Sequence, residues 1–237
     1  MPPDQTSLQT SAPTLDDAIA AKHAQFPGAF IPTSVRIGKR TIDIIAATFG
    51  LLLTAPLFIL VALAVRLDSA GPAIYRQMRV GRALADRTEL FMILKFRSMR
   101  IDAEAKTGAV WAQKHDPRVT RVGRFIRLTR LDEIPQLINI LRGDMSLIGP
   151  RPERPGLVDR LDRALPFYAD RMMGLRPGVT GLAQVMQGYD TDLEGVRRKV
   201  ALDAAYAMQL SGFWSWVRTD LRIIARTVLV VLTAAGQ

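Results

Sequence analysis

The sequence predicts a mostly helical α+β protein attached to a membrane, and three observations carry that expectation. An uncharged apolar run, IIAATFGLLLTAPLFILVALAV, extends from Ile44 to Val65. From Leu67 to about Leu175 the chain has the character of a water-soluble domain, with short apolar patterns such as ELFMILKFRSM interrupted by charge. Helix signals return at Leu193 and end in SGFWSWVRTDLRIIARTVLVVL, aromatic at its start and apolar toward its end.

A chain of 237 residues fits one sizeable domain with appendages. Lys and Arg number 32 against 22 Asp and Glu, a formal charge of +10. Such a surplus implies an anionic partner: nucleic acid, a phosphate-bearing substrate or an acidic lipid surface. Cysteine is absent, which removes disulfides, thiolate chemistry and the usual zinc sites. With His23 and His115 as the two histidines, a multi-histidine metal centre is also disfavoured. Chemistry must then rest on carboxylates, hydroxyls, Lys and Arg.

Residues 1 to about 35 are rich in Pro, Ser, Thr and Ala with little apolar periodicity, and predict a flexible arm without the basic start and apolar core of a secretory signal. The apolar run that follows would make about 33 Å of helix, enough to cross a hydrocarbon core. Basic residues flank it on both sides, Arg36, Lys39 and Arg40 before it and Arg66, Arg76, Arg79 and Arg82 after it. Lys and Arg mark the cytoplasmic end of a segment, and here both ends carry the mark. Pro56, near the middle, removes a helical hydrogen bond and forces a bend or break. Two topologies satisfy these facts: a spanning helix kinked at Pro56, or a re-entrant one that turns there and leaves by the face it entered.

ELFMILKFRSM reads as a short strand or extended segment ending in Lys95 and Arg97, and RPERPG and LRPGVTG as turns or extended loops. In the C-terminal helix Phe213, Trp214 and Trp216 suit either a core or a membrane interface. The organisation expected is an arm over 1–35, a membrane helix with basic flanks over 36–67 and one domain over 68–237 ending in interfacial helices.

Arg118, Arg121, Arg124, Arg127 and Arg130 recur at every third residue. Since a spacing of three drifts by about 60° per step on an α-helix, a single helix would wind them around its surface, and a turn is expected to divide the row. Next comes RLTRLDEIPQL, in which Pro135 suits a first helical turn and places Asp132 and Glu133 at a helix start. Acidic residues there are favoured as caps. Yet adjacent carboxylates repel, and a cap needs one of them. At a phosphate site a carboxylate can instead act as nucleophile or as a ligand for Mg²⁺. Close by, PRPE holds Arg151 between two prolines, which lowers the entropy lost in fixing a guanidinium on an anion.

Taken in order, KFRSM at 95–99, DPRVTRVGRFIR at 116–127, LDEIPQLINILRGDMSLIGPRPE at 131–153 and RPGVTGLAQV at 176–185 resemble the monotopic phosphoglycosyl transferases, bacterial enzymes that begin surface-glycan assembly. The likeness covers about 36–235. It implies transfer of a sugar 1-phosphate from a UDP-sugar to a polyprenol (undecaprenyl) phosphate in the inner membrane, with release of UMP and a catalytic domain on the cytoplasmic face. By the same resemblance Asp132 is the nucleophile that forms a covalent phosphosugar, and Glu133 binds Mg²⁺. Lys95, Arg97, Arg127, Arg130, Arg151 and Glu153 match positions around the phosphates, and Pro56 matches a proline that breaks a re-entrant helix. Inner-membrane lipid is then a partner and nucleic acid is not, with a homodimer left open. The chain departs from the family in having Ala55 before that proline, where serine is common, with Thr54 one place earlier. MQGYDTD, after GLAQV, differs from many members, and the chain length suggests the short form of the family. A second class of function, a membrane-tethered basic module that binds nucleic acid or anionic lipid and catalyses nothing, would need the two acids as caps alone.

Overall fold

In the computed structural model the described residues are 31–84, 86–103, 116–166, 168–187 and 192–233. Most of the expected arm, both histidines and the centre of MQGYDTD lie outside them. Helix α1, Thr33–Asp68, starts after Pro32, three residues earlier than expected. Its 36 residues would extend about 54 Å if straight. A hairpin follows, β1 (Ile74–Ala83) antiparallel to β2 (Thr88–Phe96), in which Lys95 pairs with Tyr75. Then come α2 (Arg121–Leu128), a 3₁₀ turn at Leu131–Glu133, α3 (Gln136–Arg142) and β3 (Ser146–Ile148). The remainder is α4 (Pro155–Ala164), a 3₁₀ turn at Ala169–Met172, β4 (Gly178–Thr180), α5 (Leu182–Met186), α6 (Leu193–Gln209) and α7 (Phe213–Thr233). The protein is thus mostly helical with a few strands, as predicted.

LRPGVTG, expected as a turn or loop, supplies β4, which pairs in parallel with β3. The two backbones approach so closely at Gly149 and Gly178 that a side chain at either would collide with the other segment. Glycine is required there by contact rather than by flexibility.

Although apolar enough to cross a membrane, α1 is also the spine of the core. Val35 packs with Tyr206, Trp216 and Ile223, Ala47 with Ile93, Ile140 and Met145, and Val61 and Val65 with Phe96 and Ile126. Two of the basic flanking residues are turned to the same task. Lys39 Nζ donates to Ile148 O (2.9 Å), Tyr206 Oη (2.8 Å) and Asp220 (3.1 Å), while Arg40 donates to the carbonyls of Ile140 and Leu141 at the end of α3. Asp43, buried one turn on, accepts from Ser146 Oγ and Leu147 N. At the other end of α1, Asp68 accepts from Val122 N, and Arg97 donates to the carbonyls of Val65, Ser69 and Ala70.

Pro56 lies inside α1, and the backbone is helical on both sides of it. Thr54 donates its hydroxyl to Gly50 O at 2.6 Å, an i to i−4 bond of the kind that bends helices. Around it Phe49, Leu52, Leu53, Ile59 and Leu60 are exposed. The C-terminal aromatics differ in burial. Trp216 is core at 2 % exposure, its indole N–H donating to Asp220, and Trp214 stands 79 % exposed.

Candidate active site

The arginine row is divided, as expected, and the helix it contributes to begins at Arg121. Thr120 caps α2 by accepting from Gly123 N, and Arg121, Arg124 and Arg127 fall on the helix. Arg118 lies before the cap, chelating Asp116 through its Nε and Nη2. Arg130 lies beyond, with a left-handed backbone at φ 57°. That conformation reverses the chain and starts the 3₁₀ turn carrying Asp132 and Glu133. The expected helix start is therefore corrected: Pro135 is the N-cap residue, α3 begins at Gln136, and neither acid caps it. A left-handed residue cannot continue α2, and proline closes the 3₁₀ turn before an α-helix can form through the pair.

What the two acids do instead differs between them. Glu133 Oε1 accepts from Lys95 Nζ on β2 at 3.1 Å. Burial pushes its pKa up, but Lys95, then Arg151 and Arg130, outweigh burial and hold it at about 2. Asp132 is 8 % exposed and its carboxylate has no hydrogen bond or ion pair with any described residue. The other buried carboxylates, Asp43, Asp116 and Asp203, are all bonded. Burial raises the pKa of Asp132, against the pull of Lys95, Arg127 and Arg130 and with the help of its neighbour Glu133.

The register of Lys95 against this turn is set by Asn139, fully buried on α3. Its Oδ1 accepts from Leu94 N (2.9 Å), and its Nδ2 donates to Met92 O (2.8 Å) and Asp144 Oδ2 (3.0 Å). Strand and turn are therefore fixed to each other by one side chain.

PRPE runs between β3 and α4 without helix or strand, its backbone held from several sides. Gly178 N donates to Pro150 O, Arg171 Nη2 to Arg151 O (2.8 Å), Arg79 Nη1 to Pro152 O (3.1 Å) and Val80 N to Glu153 O. Arg171 is itself clamped to Asp203 at 2.8 Å, both almost wholly buried. Between this loop and β2 lies a narrow cleft lined by Lys95, Ile93, Gln136, Arg79, Arg151 and Gly178.

The structure thus gathers Lys95, Arg127, Arg130 and Arg151 within electrostatic reach of the acidic pair. Two of the residues matched to phosphate positions have other partners. Arg97 is occupied by the carbonyls at the end of α1. Glu153 pairs with Lys199 (2.7 Å) and lies 3.8 Å from Arg79; burial pushes its pKa up, and Lys199, Arg171 and Arg151 outweigh that push and lower it. Arg79, Gln136, Asn139 and Arg171 were missed from sequence. For two of them a signal exists: Gln136 and Asn139 are the uncharged polar residues of the helix QLINILR, three apart and so on one face.

A short buried acid without a partner, beside a second acid salted to lysine and facing arginines, is an arrangement for handling phosphate. The family model for bacterial sugar transferases matches residues 34–234. The chain belongs to the bacterial sugar transferase family. It is 42 % identical over 215 residues to the UDP-N-acetylgalactosamine-undecaprenyl-phosphate N-acetylgalactosaminephosphotransferase of Aeromonas hydrophila, covering 90 % of this chain and 48 % of that protein. A UDP-glucose:undecaprenyl-phosphate glucose-1-phosphate transferase of Caulobacter vibrioides is 44 % identical over 87 % of this chain and 74 % of its own. The exopolysaccharide production protein PSS of Rhizobium leguminosarum bv. phaseoli is 38 % identical over 82 % of this chain and 95 % of its own. The chain therefore spans about half of the Aeromonas relative and nearly all of the Rhizobium one. The family match takes in α1 as well as the soluble elements, consistent with a helix that belongs to the fold.

Proposed function

We propose that this chain transfers a sugar 1-phosphate from a UDP-sugar to undecaprenyl phosphate at the cytoplasmic face of the bacterial inner membrane, through a covalent intermediate on Asp132. The observation that carries the reading is the Asp132 carboxylate, buried and unpartnered among the described residues while every other buried carboxylate there is bonded. A carboxylate stripped of hydrogen bonds is a stronger nucleophile, and a structural acid would not be left so.

In the first step an Asp132 oxygen bonds to the phosphorus that carries the sugar, and the bond from that phosphorus to the bridging oxygen of UMP breaks. A phosphate oxygen of undecaprenyl phosphate then attacks the same phosphorus, and the Asp132–phosphorus bond breaks to regenerate the carboxylate. Lys95, Arg127, Arg130 and Arg151 offset the charge that builds on the transferring group. Among the described residues no three acids cluster as a protein-only cage would need. Glu133, a single carboxylate, fits an ion held mainly by substrate phosphates and water, as Mg²⁺ commonly is. When bound there, Mg²⁺ would neutralise phosphate charge.

Attachment by a re-entrant α1 is part of the proposal. Lys39, Arg40 and Asp43 before Pro56, and Val65 and Asp68 after it, are bonded to one and the same body of soluble elements. A helix that crossed the bilayer would carry its ends to opposite faces. The exposed apolar residues around Pro56, with Trp214 and Leu221 on α7, supply the surface for lipid.

The test is release of UMP from a panel of UDP-sugars by membranes containing the protein, with and without undecaprenyl phosphate and MgCl₂. Release that requires Asp132 is expected. Absence of release across the panel, or full turnover by Asp132→Asn, would overturn the reading. A binding module would instead show binding that falls steeply with salt and ignores Asp132→Asn.

A further inference from the structure

We propose that Gln136 is a substrate contact whose carboxamide hydrogen-bonds the diphosphate of the donor beside the narrow cleft that Lys95 and Arg151 line. This rests on the donor being a nucleoside diphosphate sugar, as set out above.

Gln136 is 3 % exposed, yet its side chain has no hydrogen bond with any described residue. Burying an amide unpaired is costly, and native proteins keep few such groups. Asn139, one turn along the same helix and wholly buried, provides the comparison: its carboxamide makes three bonds that tie α3 to β2 and to Asp144. Where an amide is structural in this helix, the fold uses it. Gln136 instead lines the cleft with Lys95, Arg79 and Arg151.

The company it keeps decides the ligand chemistry. Of the three cationic side chains at the cleft, Lys95 is paired with Glu133 and Arg79 with Pro152 O, and a diphosphate offers such a group several further anionic acceptor oxygens at once. A carboxamide N–H adds a donor without a fourth positive charge, so it can approach the diphosphate without repelling Lys95. Gly178 of β4 lines the same cleft.

Gln136→Met keeps the shape and removes the hydrogen bond. The purified full chain is melted with MgCl₂, with and without inorganic pyrophosphate, and UMP release is measured on the same samples. The expected result is an unliganded melting temperature equal to or above that of wild type, a pyrophosphate shift reduced or lost, and kcat/KM lower by roughly 10- to 100-fold. A pyrophosphate shift equal to that of wild type, both being zero included, overturns the inference whatever turnover shows. So does an unliganded melting temperature several degrees lower with UMP release per folded molecule unchanged, the signature of a purely structural amide. Wild type that releases no UMP from any UDP-sugar, but whose pyrophosphate shift is lost in Gln136→Met, refutes the donor reading and leaves the diphosphate contact standing.

Discussion

Lys95 Nζ on β2 lies 3.1 Å from Glu133 Oε1 on the 3₁₀ turn before α3, and this pair joins the hairpin to the acidic site. Both side chains are largely buried. Lys95→Met leaves the Glu133 charge unbalanced and should cost about 1–3 kcal/mol at neutral pH. Because the folded pKa of Glu133 is depressed from 4.5 to about 2, the stability it contributes is complete above 4.5 and is lost as pH falls toward 2. Melting curves of wild type and variant should therefore diverge most above pH 4.5 and converge below it. A gap that stays constant down to pH 2 would show that the pair is not its source.

Asp132→Asn should be inactive and yet more stable than wild type at pH 7. Burial raises the pKa of Asp132, so its ionised form weakens the fold at neutral pH. The penalty is present in full above the folded pKa and disappears as pH drops through it toward the ordinary value of 3.8. The gain in melting temperature should shrink accordingly in acid, and UMP release by wild type should fall over the same range as the nucleophile protonates. A variant less stable than wild type at pH 7 contradicts this account. Stability sacrificed at a reacting group is a common trade.

Arg171 and Asp203 form a buried pair, and Arg171 also holds the carbonyl of Arg151. Removing the guanidinium alone, in Arg171→Met, should cost about 3–5 kcal/mol because a buried carboxylate is left uncompensated. Pairing it with Asp203→Leu should recover most of the stability, by denaturation, while UMP release stays low for want of the bond to Arg151 O. Full activity in the double variant would confine the pair to a structural role.

The chain has no cysteine, so topology can be read with single thiols. Ile37→Cys and Leu67→Cys place exposed probes at the two ends of α1. In the re-entrant arrangement both react with an impermeant reagent only in inverted vesicles. Reaction of one of them from the outside would make α1 a spanning helix.

Much of the site was legible because its chemistry is contiguous in sequence. LDE, KFRSM and PRPE each announce their charges, and the glycines and prolines between them mark the loops. Other assignments failed for reasons that local pattern cannot express. Arg97 stands two residues from Lys95 in a basic string, but it serves the carbonyls at the end of α1. Lys39 and Arg40 read as membrane flanks and turn inward to Asp220 and to α3. The helix cap assigned to Asp132 and Glu133 gave way to a 3₁₀ turn because Arg130 adopts a left-handed backbone, which no residue preference for arginine would suggest.

Composition and local pattern are enough for a membrane-seeking segment, a basic domain without thiol chemistry, a divided arginine row and an adjacent acidic pair next to it. Those follow from hydropathy, charge and the conformational limits of proline and glycine, which act over a few residues. Which polar groups are satisfied emerges from the folded arrangement. Among the described residues Glu133 is bonded and Asp132 is not, Asn139 is used and Gln136 is not, and the difference in each pair arises from what segments distant in the chain bring to about 3 Å. Hydrogen bonding is short-ranged and directional, so the functional distinction between neighbours in sequence is made by contacts distant in it.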